Sequence, residues 1–359
     1  MIRSLSIFAF SILLCISLIQ FSNAQSSQDK RIDSLQTFIN DNYRANWNAI
    51  PDSARLLLHL AQQINNKQAE ADANKYLGVF YFRTSNQDSS IFFYSRAAAI
   101  NKELGNTLEL AKNTLNIGMS YKNLGDFERT VENSLEAARY FEEVKDYKGI
   151  SIVYNMVGSV YYYQNRLDEA ETYMRLYLEN AIKAKDSYEI VSANQNLGAI
   201  LSASGKIDES IDYLIAAKDG HKKNGNKLGE ATNSINLGII FYDKEEYYVS
   251  VPYFEEAYEV AKELDNNRIL LESIVNLVGA YSNLDRHSEA LKLSTEGIAL
   301  AQESKDEYME MKIYEKRALS FTNLSDYKNA YIALSNFQVL KHSFINIENL
   351  NNIADLETL

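Results

Sequence analysis

The 359-residue sequence predicts an all-α fold made of paired helices that repeat every forty residues. Two observations support this prediction. Only 14 glycines and 2 prolines occur in the chain, which leaves few sites for the tight turns that a strand-rich fold needs. Small, apolar and aromatic residues also recur in fixed columns, forty positions apart, along most of the chain. Self-similarity of this period is typical of stacked helical repeats.

A column of small residues marks the first helix of each pair. Its members are Gly78, Gly118, Gly158, Gly198, Gly238, Val278 and Ala318. The position before this column is apolar except at Arg317, and the position three after it is aromatic except at Leu201. A glycine inside a helix costs about 1 kcal/mol relative to alanine. We therefore expect the second helix to press against the first at this column, and the aromatic side chains to fill the space between neighbouring repeats.

Turn and capping residues follow the same period. Between the paired helices lie Ser85, Gly125, Asn165, Gly205, Glu245, Asp285 and Ser325. Between repeats, one column contains only Asn and Asp: Asn106, Asp146, Asp186, Asn226, Asn266 and Asp306. Such side chains accept hydrogen bonds from the first amides of a helix, so this column predicts N-caps. Pro252 lies inside a predicted second helix, where we expect a kink or a shifted helix start.

Residues 1–24 have the features of a secretory signal peptide. A short basic start that includes Arg3 precedes an apolar run from Leu5 to Ile19, and small residues follow up to Ala24. The run is shorter than the roughly 20 residues that span a bilayer. An uncleaved N-terminal anchor is the alternative. The only cysteine, Cys15, lies in this run, so the predicted mature chain has no thiol for a disulfide or a metal site.

The remaining chain divides into three parts. Residues 25–68 are predicted to form a degenerate repeat that caps the N-terminal end, and residues 69–343 form seven repeats of forty residues. Residues 344–359 begin a C-terminal helix. Asp355 and Glu357 stand in its last turn, where the helix dipole prefers cations, as expected of a helix that is cut short.

The composition argues against several kinds of function. The formal net charge is −12 and no basic cluster is long enough to follow a phosphate backbone, so nucleic acid and anionic membranes are poor partners. No second apolar run reaches membrane length. The four histidines are isolated, and no phosphate-binding loop or nucleophile motif occurs. We expect neither catalysis, nor a metal, nor a cofactor within these residues.

The columns resemble the tetratricopeptide repeat (TPR), as in the segment NLGAILSASGKIDESIDYLIAA. The period of forty is similar to the long-helix repeats of kinesin light chain and of bacterial Rap-type regulators. The resemblance implies a right-handed superhelical α-solenoid that binds proteins or peptides. The C-terminal segment also resembles the helix that follows the repeats in exported sensor proteins of Gram-negative bacteria, which implies the periplasmic sensor portion of a histidine-kinase-type receptor. A free-standing periplasmic adaptor and the binding region of a larger enzyme are the alternatives.

A solenoid of this type binds ligands mainly with the first helix of each pair. Two positions before the small column, four of seven residues are asparagine: Asn116, Asn196, Asn236 and Asn276. An amide both donates and accepts, so such a column can pair with the backbone of an extended peptide. The resemblance implies this role for the four asparagines. Tyr162 and Tyr242 follow the small column by four residues and complete the predicted peptide-binding groove. Alternatively, the asparagines bridge neighbouring helices or face water.

Overall fold

The computed structural model describes residues 28–42 and 47–357, with the backbone alone at 47 and from 344 onward. All regular structure in these residues is helical, which confirms the all-α prediction. The chain separates into two compact bodies at Ala184 and Lys185. The predicted signal peptide, residues 1–24, lies outside the described residues. Among those described, no helix has both the length and the apolar character needed to cross a membrane.

The N-terminal body contains eight α-helices and one short 3-10 helix. We number them α1 (28–42), the 3-10 turn Trp47–Ala49, α2 (Ile50–Gln63), α3 (Lys67–Arg83), α4 (Gln87–Glu103), α5 (Thr107–Asn123), α6 (Phe127–Glu143), α7 (Tyr147–Tyr163) and α8 (Leu167–Ala184). Helices α3 to α8 form three forty-residue pairs. Helices α1 and α2 pack on α3 through a core that includes Ile39, Leu57 and Leu77.

The C-terminal body contains four further pairs. They are α9 (Ser187–Ala203), α10 (Ile207–Lys223), α11 (Lys227–Asp243), α12 (Tyr247–Glu263), α13 (Asn267–Asn283), α14 (His287–Ser304), α15 (Glu307–Asn323) and α16 (Tyr327–Glu357). First helices of successive pairs touch here, because α13 contacts both α11 and α15. Helix α16 is continuous, so residues 344–357 extend the last second helix instead of starting a separate one.

The glycine column lies where the two helices of a pair touch. A Cβ atom added to Gly198 would come within 2.7 Å of Leu214, and one added to Gly238 within 2.5 Å of Phe254. Both neighbours lie sixteen residues later on the second helix and are buried. Contacts this short do not occur between real side chains, so glycine is what lets the two helices approach. This is the packing that the glycine column predicts.

The aromatic column packs differently from the prediction. Tyr161 stacks on Tyr173 with ring centroids 5.4 Å apart, and Phe241 stacks on Tyr253 at 5.6 Å. Each partner lies on the second helix of the same repeat, so the ring faces fill space within a pair and not between pairs. The hydroxyl tips do reach the preceding unit at two positions: Tyr281 donates to Glu255 at 2.7 Å, and Tyr81 accepts from Arg55 at 3.2 Å. The twelve-residue spacing between the stacked rings is visible in the sequence.

Helix ends repeat every twenty residues. Each helix from α2 to α15 is followed by a residue with positive φ, such as Lys145 at 56° or Gly225 at 69°. The amide of Lys145 donates to the carbonyl of Glu142, and the next amide, of Asp146, donates back to Phe141 at 2.9 Å. This pair of bonds is the Schellman arrangement, which satisfies the last carbonyls of a helix. The predicted turn column coincides with every second one of these residues.

The predicted capping column functions in five of its six members. Asp146, Asp186, Asn226, Asn266 and Asp306 accept a hydrogen bond from an amide in the first turn of the next helix. Asn106 does not, because its amide donates instead to the side chain of Gln68 at 2.7 Å. The expected shift at Pro252 is wrong: α12 begins at Tyr247, in register with the other second helices, and continues through the proline.

Candidate binding clefts on the first helices

A cleft of the N-terminal body lies between α1, α3 and α5. Its volume is about 390 Å³. It is lined by Asn40, Asp41, Lys75, Tyr76, Val79, Glu109, Lys112 and Asn116. Tyr76 and Asn116 both lie two positions before the small column, on the first helices α3 and α5, and both line this cleft. The hydroxyl of Tyr76 donates to Asn40 at 2.8 Å and ties α3 to α1.

A charged network forms one wall of this cleft. The Lys75 ammonium lies 3.3 Å from both Asp72 and Glu109, and Lys112 lies 2.8 Å from Glu109. Burial lowers the pKa of Lys75, but the attraction of Asp72 and Glu109 outweighs it, and the net shift is upward. Burial likewise raises the pKa of Glu109, and the two lysines reverse the effect. Lys75 and Glu109 therefore both carry their charge at neutral pH.

Asn116 is the predicted groove residue that is best placed in this body. It is half-buried, and its side-chain amide has no hydrogen-bond partner among the described residues. Tyr162 does not line the cleft; its side chain is 45% exposed on α7. The neighbouring Tyr163 packs against Phe127, at the start of α6, with ring centroids 5.2 Å apart.

A second cleft, in the C-terminal body, lies between α9, α10 and α11. Its volume is about 200 Å³ and its walls are mostly apolar. Leu214 forms its floor, and Ala199, Ile239 and Ile240 line its sides. The Asn236 amide stands at this cleft without a hydrogen-bond partner among the described residues. An amide beside an apolar cleft can fix a peptide backbone while an apolar side chain fills the space.

The other predicted groove residues of this body are already engaged. The Asn276 amide donates to the Glu272 carbonyl of its own helix at 2.9 Å. The Tyr242 hydroxyl accepts from Asn283 at 3.0 Å, and the Lys316 ammonium lies 5.6 Å from the Tyr242 ring centre. Tyr242 thus bridges three first helices, α11, α13 and α15. Asn196 is half-buried and also has an interaction partner.

The sequence did not single out the charged wall of the first cleft. Lys75 and Glu109 come from neighbouring repeats and meet only because α3 packs beside α5. The available signal was the three-residue spacing of Glu109 and Lys112, which places opposite charges on one face of α5. Every repeat has charges at such spacing, so the pattern alone does not distinguish a cleft from a solvated surface.

Two matches to a tetratricopeptide-repeat family model cover residues 109–183 and 189–263. The regulatory protein RapG of Bacillus subtilis strain 168 is 24% identical over 224 residues, which is 58% of this chain and 54% of RapG. Among solved structures, a STAND signal-transduction ATPase of Pyrococcus horikoshii with a tetratricopeptide-repeat sensor matches at a TM-score of 0.68 and 16% identity, over 90% of this chain and 50% of that one. Aspartyl phosphate phosphatase F of Bacillus subtilis matches at a TM-score of 0.54 and 12% identity, over 80% of this chain and 75% of that one.

The helix pairs and these similarities define a helical-repeat scaffold of the kind that binds proteins or peptides. The chain spans about half the length of RapG and of the archaeal ATPase. Residues 109–183 and 189–263 are tetratricopeptide repeats by their match to the family model, and the same forty-residue helix pairs continue on either side of them.

Proposed function

We propose that this chain is an exported scaffold that binds an extended peptide or protein segment, and that it is the periplasmic sensor portion of a signal-transduction receptor. Within these residues its activity is binding and not catalysis. The observation that carries the binding proposal is the pair of clefts with a free amide, Asn116 in one body and Asn236 in the other. The archaeal ATPase, which is described as having a TPR sensor, supports the sensory part by analogy of fold alone.

The two asparagines take different partners because their clefts differ. The Asn236 cleft is mostly apolar, and it suits a peptide with an aliphatic side chain. The Asn116 cleft has two lysines and two carboxylates, and it suits a polar or charged segment. Asn196, Asn276, Tyr162 and Tyr242 remain part of the proposed groove as contact residues, with their side chains rearranging where they are already bonded.

The binding proposal is tested with peptides selected against the chain from an immobilised random library. Asn236→Ala should weaken a peptide that occupies the apolar cleft about tenfold, because two hydrogen bonds to the peptide backbone are lost. Asn267→Ala is the matched control, since Asn267 is exposed at the start of α13 and lies outside the proposed groove. Equal weakening by both variants, or a library that yields no binder, would contradict the proposal.

Export and the receptor context are separate questions. Fusion of residues 1–30 to an alkaline phosphatase that is active only after export tests the signal peptide, and an inactive fusion would rule it out. The reading frame of the gene tests the receptor. Continuation beyond Leu359 into a membrane span and a kinase or DNA-binding domain supports it, whereas a stop codon there favours the free-standing adaptor. Continuation into another catalytic domain favours the binding region of an enzyme.

A further inference from the structure

Two clefts of the C-terminal body occupy equivalent places, forty residues apart. The first, which we call the acidic cleft, has a volume of about 390 Å³ and lies between α12, α13 and α14. The second, the arginine cleft, has a volume of about 260 Å³ and lies between α14, α15 and α16. Both are separate from the clefts of the proposed groove, because second helices form two of their three walls. Equivalent positions can therefore be compared directly.

The electrostatic character of the two clefts is opposite. Four glutamates and one lysine line the acidic cleft: Glu255, Glu259, Glu289, Glu296 and Lys292. At three of the equivalent positions the arginine cleft has neutral polar residues: Thr295, Asn329 and Asn336. Leu277 of the acidic cleft is replaced by Arg317, the only charged member of an otherwise apolar column. No carboxylate of the described residues lines the arginine cleft, although the chain as a whole is strongly acidic.

Arg317 is half-buried without a counter-ion. Its Nη1 donates to Thr295 at 2.9 Å and to Ser294 at 3.3 Å, and its guanidinium lies 5.4 Å from the Phe321 ring centre. No carboxylate of the described residues lies within ion-pairing distance of it. Six of the other described arginines pair with an acid three or four residues away: Arg55, Arg129, Arg166, Arg175, Arg268 and Arg286. Burial lowers the pKa of Arg317, the usual sign of a cation that has lost water without gaining a partner.

Acids on either side of Arg317 in the sequence are already committed. Glu315, two residues before it, pairs with Lys312 at 3.8 Å. Asp326 accepts from the amide of Asn329 and from its side chain, at 3.2 and 2.7 Å, and thereby caps α16. Asn336 hydrogen-bonds to the hydroxyl of Tyr314. The Nε and Nη2 atoms of Arg317 have no partner among the described residues. These two atoms form the planar fork that matches the two oxygens of a carboxylate.

We propose that the arginine cleft binds a carboxylate that is carried next to an apolar group. The forked edge of Arg317 takes the carboxylate, and Ile298, Ile332 and Ala333 contact the apolar group. A single guanidinium between apolar walls favours a monoanion over a phosphate, which needs more donors and more positive charge. The ligand is either a free aliphatic acid or the C-terminal end of a peptide, since both present this chemistry.

The test is titration of the full chain, labelled with ¹⁵N at arginine, while the Nε signal of Arg317 is followed by NMR. Four probes are compared: 4-methylpentanoate, its uncharged amide, N-acetyl-leucine and inorganic phosphate. We expect saturable shifts with the first and third probes in the millimolar range, and none with the amide. If N-acetyl-leucine binds more tightly than 4-methylpentanoate, the ligand is the C-terminal end of a peptide. If it binds equally or more weakly, the ligand is a free acid. Both results support the site.

Arg317→Leu introduces the residue that the equivalent Leu277 already provides, so the repeat should fold. Ser294 and Thr295 keep their hydrogen bonds to the Leu291 carbonyl. Affinity for 4-methylpentanoate, measured by calorimetry, should fall at least about tenfold. Arg268→Leu, at an exposed arginine of the same body, is the control and should change nothing. Binding that survives Arg317→Leu, equal binding of the amide, or tighter binding of phosphate would each overturn the proposal.

Discussion

Gly238 and Phe254 form a matched pair of volumes that the next repeat reverses. The Phe254 ring is completely buried and leaves no room for a side chain at Gly238. Forty residues later the pair reads Val278 and Ser294, a larger residue on the first helix and a smaller one on the second, and both are fully buried. If the two positions share one space, Gly238→Val should be tolerated only when Phe254→Ser accompanies it.

The magnitudes follow from the contacts. A Cβ at Gly238 would lie 2.5 Å from the Phe254 ring, and overpacking of this kind costs about 1–3 kcal/mol, slightly offset by the better helix propensity of valine. Phe254→Ser empties a large buried site, for which Phe→Ala losses of about 3–5 kcal/mol are the guide. Independent effects would sum to about 4–8 kcal/mol. Because each change relieves the other, we expect the double variant to lose about 2 kcal/mol less than the sum.

Hydrogen exchange of the α11 and α12 amides is the appropriate assay, because repeat arrays need not unfold in one step and a global midpoint would blur a local change. Gly118→Ala is the control: its nearest neighbour is the small Ser134 hydroxyl at 3.0 Å, so the change should stay within about 1 kcal/mol. Effects of Gly238→Val and Phe254→Ser that add within about 0.5 kcal/mol would refute the shared-volume reasoning.

Two further predictions concern helix caps and pH. Asp306→Ala should destabilise α15 by about 1 kcal/mol, since the Asp306 carboxylate accepts a hydrogen bond from the Met309 amide at 3.0 Å. Asn106→Ala should destabilise α5 by less, because Asn106 makes no capping bond. Hydrogen exchange of α15 and α5 measures the two losses, and equal losses would contradict the prediction. Burial lowers the pKa of His221, and Glu230 opposes the shift. At a pH above the ordinary histidine pKa of about 6.5, His221 is neutral in both the folded and the unfolded chain, and the folded state has its full stability. Below that pH the unfolded chain takes up a proton that the folded chain resists, and stability falls. Between pH 8 and 5, the free energy of unfolding measured with denaturant should fall more steeply for the native chain than for His221→Gln. Parallel curves would show that His221 does not cause the loss.

The repeat architecture was predictable because each of its determinants is local. Glycines, turn residues and caps recur in columns, and each column imposes one backbone requirement that the sequence states directly. The exceptions are equally instructive. Asn106 lies in the capping column, but a glutamine from the preceding repeat takes its amide. Pro252 is accommodated in the first half of α12 without moving the helix start.

The candidate site was predictable only in part. The asparagine column was found from its period, but its members differ in what surrounds them: Asn236 stands at an apolar cleft, whereas Asn276 bonds to its own helix. Tyr242 is engaged because Asn283, forty-one residues later, comes within 3.0 Å. These differences arise from contacts between repeats, which depend on side-chain positions that a column of letters does not specify. Arg317 departs from an otherwise apolar column, but its lack of a counter-ion among the described residues depends on how α14, α15 and α16 pack, which the sequence does not specify.

The twenty-residue recurrence of positive-φ residues has a consequence for how the length of this protein can change. Gly225 and Asp265 both end a helix, and each is followed by an asparagine that caps the next one. Removal of residues 226–265 would therefore join Gly225 to Asn266 at an intact boundary, with the same backbone geometry on either side. Insertion of a copied forty-residue segment at the same point would be equally seamless. Duplication or deletion of forty residues can therefore change the number of repeats while every junction between helices keeps its present sequence and backbone geometry.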